Sequence, residues 1–179
     1  KDILLDSGAK TVLGFPIDSL PLPAIADPLV AELKREASVG ALRESPLVPT
    51  VLPLQIVRLG SLALVCCPGE FTTVAGRRLR GAVAARLAPM GITQTLLCSY
   101  CNDYMGYVTT NEEYQEQCYE GGHTIFGQWT LAAFQTRFTA LATEFTRPLA
   151  ERNHDRVTRP APVPPDELAL RSNVPLPPP

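Results

Sequence analysis

Two stretches of this sequence carry residue types that could do chemistry. The first is Pro68-Gly69-Glu70-Phe71-Thr72-Thr73, an acid placed where the apolar run Leu62 to Cys67 gives way to a helical pattern. Carboxylates at strand ends face the mouth of an α/β sheet, where ligands bind. An acid near a first turn also stabilises a helix, by a few tenths to about 1 kcal/mol. Spacing alone leaves the two roles of Glu70 level. The second stretch runs from Tyr100 to Tyr119 and holds all five tyrosines. Its phenols could serve a ligand, but half-buried tyrosines whose hydroxyls meet backbone would look the same. The residues by themselves favour that plainer role.

Cysteine chemistry is a third possibility. Cys66, Cys67, Cys98, Cys101 and Cys118 number five, so at least one stays unpaired if all bonding is internal. Cys98-Ser99-Tyr100-Cys101 has C-x-x-C spacing. A zinc site would want a second Cys/His pair, and His123 and His154 lie far apart. A redox motif would open a helix, whereas this one ends an apolar run. Buried thiols at a strand end are the expectation.

The elements that must position these residues are readable. Residues 1–54 are punctuated by Pro16, Pro21, Pro23, Pro28, Pro46, Pro49 and Pro53, and only Asp27 to Ser38 could carry a helix, with Pro28 at its first position. Ile56–Leu59 and Leu62–Cys67 flank Gly60-Ser61, a hairpin signal. Thr72 or Thr73 can cap a helix that turns Val74, Leu79, Val83 and Leu87 inward and stops before Pro89. Arg77, Arg78, Arg80 and Arg86 form its solvated face. Ile92 to Cys98 reads as a strand, and Thr110 with Glu113 as a capping box. Leu131, Phe134, Phe138, Leu141 and Phe145 make one helical stripe, closed by Pro148. From Arg159 onward the chain reads as an extended, polyproline-like tail or linker, with eight prolines in its last twenty residues. Alternating strands and helices make the fold class α/β, a layered arrangement of sheet and helices. The expected division is a body over 1–150 and a Pro-rich tail over 151–179. A sheet edge after Val65 and the apolar face of the 131–145 helix are expected to be partly uncovered.

Composition narrows the function classes. Apolar residues make up 45% of 179 and charged residues 19%, enough to bury a core. Sixteen basic against eighteen acidic side chains give a net charge of −2. That argues against a nucleic-acid partner, whose footprint is a basic excess. No apolar run is long enough for a membrane-spanning helix. Without Met, the opening Lys1-Asp2-Ile3-Leu4-Leu5 reads as the middle of a longer protein.

Two long motifs resemble a known family. Glu70-Phe71-Thr72-Thr73-Val74-Ala75-Gly76-Arg77-Arg78-Leu79-Arg80 is similar to the E-F-T-T-M-A-G-R-R-L-R segment of the neutral ceramidases. Tyr107-Val108-Thr109-Thr110-Asn111-Glu112-Glu113-Tyr114-Gln115, with Tyr119-Glu120-Gly121 after it, resembles their Y-V-T-T-x-E-E-Y-Q-x-Q-x-Y-E-G segment. Thr124-Ile125-Phe126-Gly127 continues the likeness, which extends to about Leu149 and back to Ile3-Leu4-Leu5 with Gly8.

The resemblance implies a zinc-dependent amidohydrolase that splits the N-acyl amide of ceramide or a related lipid. It implies Glu70 and Tyr107 as Zn2+ ligands and Tyr119 as the catalytic phenol beside the substrate carbonyl. It also implies that this chain is the later half of the catalytic domain. The two histidine ligands, a serine and an arginine would then come from a partner chain carrying the earlier half, and His123 and His154 match none of them. Family habit implies a secreted or extracytoplasmic location. Gly69, Cys118, Gly122-His123 and Gln128-Trp129 depart from the family pattern, so amidase chemistry is a safer expectation than ceramide as substrate. An N-acyl amino acid amidase is the close alternative. A non-catalytic binding or scaffolding chain is the alternative from another class.

Overall fold

The structure is a computed structural model and describes residues 11–12, 15–16, 28–45, 48–116, 118–155 and 157–171. The expectations for Ile3 to Gly8 and for Asp27 lie outside these. The described chain is α/β and forms two compact units, one over residues 51–159 and the other from residues of 4–50 and 160–179. The expected boundary near 150 therefore falls inside the first unit.

In the first unit, β3 (Gln55–Leu59) and β4 (Leu62–Cys66) form the hairpin that Gly60-Ser61 signals. Leu59 pairs with Leu62, and Gly60 takes the positive φ of 62° that such a tight turn requires. β6 (Gln94–Cys98) joins the other side of β4 in parallel, giving the order β3-β4-β6. β4 is thus a central strand, and the edge expected after Val65 is paired instead. A parallel neighbour needs a crossover, and α2 (Thr73–Leu87) supplies it.

Thr72 caps α2 through its hydroxyl, which accepts the Ala75 amide at 3.3 Å. Ala75, Leu79, Val83 and Leu87 are buried at steps of four. Val74 is 40% exposed rather than inward, because it sits one residue, about 100°, off that row. α5 (Thr130–Phe145) packs on α2 and buries Leu131, Phe134, Phe138 and Ala142. The stripe expected to be uncovered is therefore core over most of its length, and only Leu141 and Phe145 at its end are half-exposed. Phe71 meets Phe134 edge-on at 5.3 Å, tying α5 to the strand that carries Glu70. Together these helices cover one sheet face, where Ala63 and Val65 have no exposed surface. The opposite face carries the register row Val57, Leu64 and Leu96.

In the second unit, β1 (Thr11–Val12) and β2 (Phe15–Pro16) pair antiparallel, and α1 (Pro28–Ser38) begins at its proline as expected. α6 (Pro165–Arg171) forms where an extended tail is expected. Pro165 starts it, Asp166 and Glu167 favour its positive end, and Arg171 favours the other. Glu167 is wholly buried and accepts the amides of Glu44 at 2.5 Å and Ser45 at 3.1 Å. Arg171 returns the link by donating to the Ala41 carbonyl at 2.9 Å. Proline content alone signals an extended chain; these long-range polar bonds decide for a helix.

Candidate functional site

Glu70 and Tyr107 sit side by side because two short strands pair. β5 (Glu70–Phe71) and β7 (Tyr107–Val108) are parallel, with Glu70 opposite Tyr107 and Phe71 opposite Val108. The Glu70 amide donates to Gly106 O at 3.0 Å and the Thr72 amide to Val108 O at 3.1 Å. Partners in a parallel ladder project from the same face, so the carboxylate and the phenol emerge together. Gly106 makes this register possible. Its φ is 93°, and a Cβ there would lie 3.2 Å from the His123 carbonyl oxygen and from Ile125. Gly106→Ala is expected to lower stability by more than about 1 kcal/mol, read as a lowered denaturant midpoint at unchanged slope.

Side chains from the two motifs fasten this pairing. The Thr72 hydroxyl donates to Glu113 Oε2 at 2.6 Å, and the Thr110 amide donates to the same oxygen at 2.8 Å. The Glu113 amide in turn donates to Thr110 Oγ1 at 3.1 Å, completing the capping box of α3 (Asn111–Gln115). Burial opposes ionisation of Glu113, but these donors hold its carboxyl below the usual range. Arg78 forks onto Glu112 at 2.8 and 3.2 Å, and that bond brings the Glu112 carboxyl down to about 2. The acid-and-arginine pattern of the two motifs is therefore largely a clamp.

Phenols surround the Glu70 carboxylate. Tyr104 donates to Glu70 Oε2 at 3.2 Å. Hydrogen bonds from Tyr100, Tyr107 and Tyr104 hold the Glu70 carboxyl below its ordinary value, Tyr100 contributing most. Tyr100 and Tyr104 stack with centroids 5.8 Å apart and planes within 6°. Tyr100 takes a left-handed φ of 59°, a conformation that costs an aromatic residue free energy.

The same bonds push the phenols upward. Tyr100 and Tyr107 rise to about 12, chiefly through hydrogen bonding to Glu70, and Tyr104 rises to about 12, chiefly through burial. A phenol with a raised folded-state pKa favours the folded state fully below the ordinary value near ~10. That contribution is lost as the pH climbs through about 12. In a spectrophotometric titration of the metal-free protein, three tyrosines are expected to ionise late. Glu70→Gln should return Tyr100 and Tyr107 towards ordinary values and move Tyr104 less.

Tyr119 opens α4 (Tyr119–Gly122). Its ring stands edge-on to Tyr107 at 5.6 Å and lies 4.3 Å from the His123 ring, and the residue is 66% exposed. The His123 ring Nδ1 lies 2.8 Å from Tyr119 O, while the Tyr107 amide donates to His123 O at 3.3 Å. Glu70, Tyr107 and Tyr119, singled out in the sequence, thus share one place. Tyr100 and Tyr104, marked in the sequence only as members of the tyrosine-rich stretch, join them, as does His123. A polar loop with tyrosines hints at Tyr100 and Tyr104; the left-handed turn that aims Tyr100 leaves no mark in residue type.

As donors, Glu70 and Tyr107 offer oxygens, which suit part of a zinc shell. Among the described residues no group of three or more His, Cys, Asp or Glu could hold a metal ion. With the carboxylate alone beside it, Tyr107 is held neutral; a cation would reverse that preference by favouring the phenolate. The donor chemistry fits a site completed by ligands from elsewhere.

A family model described as neutral/alkaline non-lysosomal ceramidase, N-terminal, matches residues 34–136. It does not carry the expectation that this chain is the later half of a domain. The neutral ceramidase of Pseudomonas aeruginosa is 47% identical over 106 residues, which are 59% of this chain and 16% of that protein. Neutral ceramidase A of Dictyostelium discoideum is 47% identical over 106 residues, 58% of this chain and 15% of the relative. That of Mycobacterium tuberculosis is 44% identical over 119 residues, 65% and 18%. The crystal structure of the Pseudomonas aeruginosa protein aligns with a TM-score of 0.56 at 47% identity, covering 57% of this chain and 16% of that one. The chain therefore spans less than a fifth of the length of these curated relatives.

Proposed function

The chain belongs to the neutral/alkaline non-lysosomal ceramidase family, and we propose that it is part of a zinc-dependent amidohydrolase that cleaves the N-acyl amide of ceramide or a related lipid. The observation that carries this reading is the register pairing of Glu70 with Tyr107, with the Tyr119 ring against Tyr107. In it, Glu70 and Tyr107 hold the Zn2+. When bound, zinc supplies Lewis acidity and lowers the pKa of a coordinated water toward ~7. Glu70 compensates the charge of the ion. Tyr119, open to solvent, donates its phenol proton in a hydrogen bond to the substrate carbonyl oxygen as negative charge grows there. The remaining ligands come from a partner chain with the earlier half of the catalytic domain, this chain being the later half up to about residue 150.

A location outside the cytoplasm rests on family habit; among the described residues, no helix is long and apolar enough to cross a membrane. One observation favours the second substrate reading. His123, which replaces a small residue of the family pattern, lies against Tyr119, and a polar ring there would suit the carboxylate of an N-acyl amino acid.

The test is co-expression with the earlier half, followed by assay of ceramide and an N-acyl amino acid in parallel. Hydrolysis that a chelator abolishes and zinc restores supports the amidase. A zinc-free complex that binds the lipid without cleaving it would point instead to the binding or scaffolding role.

A further inference from the structure

Three cysteines lie on one face at the end of the sheet that leads to the site, and a bulge places the third there. Cys66 and Cys98 are register partners at the ends of β4 and β6, so their side chains share a face. Beyond them the ladder continues irregularly. The Cys67 amide donates to Cys98 O at 2.8 Å, as a parallel pair requires. The returning bond to Cys67 O comes from the Cys101 amide at 2.9 Å, one residue later than Tyr100, which donates to Gly69 O instead. The extra residue is a bulge, and Tyr100 absorbs it with its left-handed φ. In an unbroken strand, alternation would send residue 101 to the face opposite Cys98. The bulge returns Cys101 to the Cys98 side, which is also the side of Cys66. Cys98 and Cys101 are partly exposed.

We propose that Cys66 and Cys101 form an oxidisable dithiol, a modification site that takes a low-molecular-weight disulfide such as oxidised glutathione and closes to a Cys66–Cys101 disulfide. Strand geometry selects this pair. In-register parallel partners keep their Cβ atoms near the strand spacing of about 4.8 Å, beyond the roughly 3.5–4.5 Å that a disulfide needs. That disfavours Cys66 with Cys98. Cys101 lies outside the ladder and can approach. Cys67 has no exposed surface.

The Cys101 thiolate attacks one sulfur of the glutathione disulfide and displaces one glutathione thiolate, which takes up the proton Cys101 lost. The Cys66 thiolate then attacks Cys101 Sγ in the mixed disulfide and displaces the second glutathione, again with one proton. Two protein thiols are oxidised and one glutathione disulfide is reduced to two thiols. Burial pushes the Cys66 thiol up to about 11, which lowers the fraction present as the attacking thiolate. The product would staple the loop that carries Tyr100 and Tyr104 to the strand that runs into Glu70. This inference is independent of the zinc reading and stands or falls separately from it.

The test uses the purified chain with whatever copurifies, equilibrated with oxidised glutathione, alkylated and digested with trypsin without reduction. Cys66 and Cys67 fall in the peptide 59–77, and Cys98, Cys101 and Cys118 in the peptide 87–137. A cross-link between these two peptides, retained in Cys98→Ser and lost in Cys101→Ser, is the expected result. A link confined to the 87–137 peptide, a cross-link lost in Cys98→Ser, or glutathione found only on Cys118 would each overturn the proposal. The wild-type map reads the pairing even if a serine variant fails to fold.

Discussion

Tyr119→Phe should lower kcat for amide cleavage in the assembled enzyme about 10²–10³-fold and leave zinc content unchanged. The phenol is assigned to the substrate carbonyl, and its bond matters only as charge develops on oxygen. An interaction made only in the transition state lowers kcat with KM nearly unmoved. A packing role makes a different forecast. Tyr119 is 66% exposed, and its ring contacts with Tyr107 and His123 would survive in phenylalanine. A packed tyrosine would therefore cost little in either quantity. Zinc stoichiometry, melting temperature and kcat measured on one preparation separate the two, and a variant with wild-type kcat would end the catalytic assignment.

Glu70→Gln is expected to strip zinc from the assembled enzyme, and Tyr107→Phe to do so less completely. The amide keeps the shape of the carboxylate but withdraws the negative charge that a cation needs beside it. Tyr107→Phe removes one oxygen, and in the metal-free protein that oxygen is neutral, its pKa held at about 12. Neither variant should unfold the chain, because the pairing of β5 with β7 rests on backbone bonds and on the Thr72–Glu113 link. Zinc content by elemental analysis, with circular dichroism to confirm the fold, reads both. One zinc per complex with full turnover in both variants would show that the ligand assignment is wrong.

Local patterns in the sequence determined the hairpin around Gly60-Ser61, the capped helix after Thr72, the capping box at Thr110 and Glu113, and the stripe on Leu131, Phe134 and Phe138. Each depends on neighbours within a turn or two, where residue type and spacing carry the energetics. The resemblance carried by the Glu70 and Tyr107 motifs singled out three residues that the fold brings to one place. Tertiary structure decided the rest. β4 became central because β6, with α2 between them in sequence, pairs on its far side. The 165–171 segment became a helix because Glu167 and Arg171 reach backbone groups more than a hundred residues away. The ring of phenols around Glu70 depends on a bulge and a left-handed Tyr100. Backbone conformations of that kind are set by which partner strand offers its amides and carbonyls, and side-chain type alone does not encode that choice.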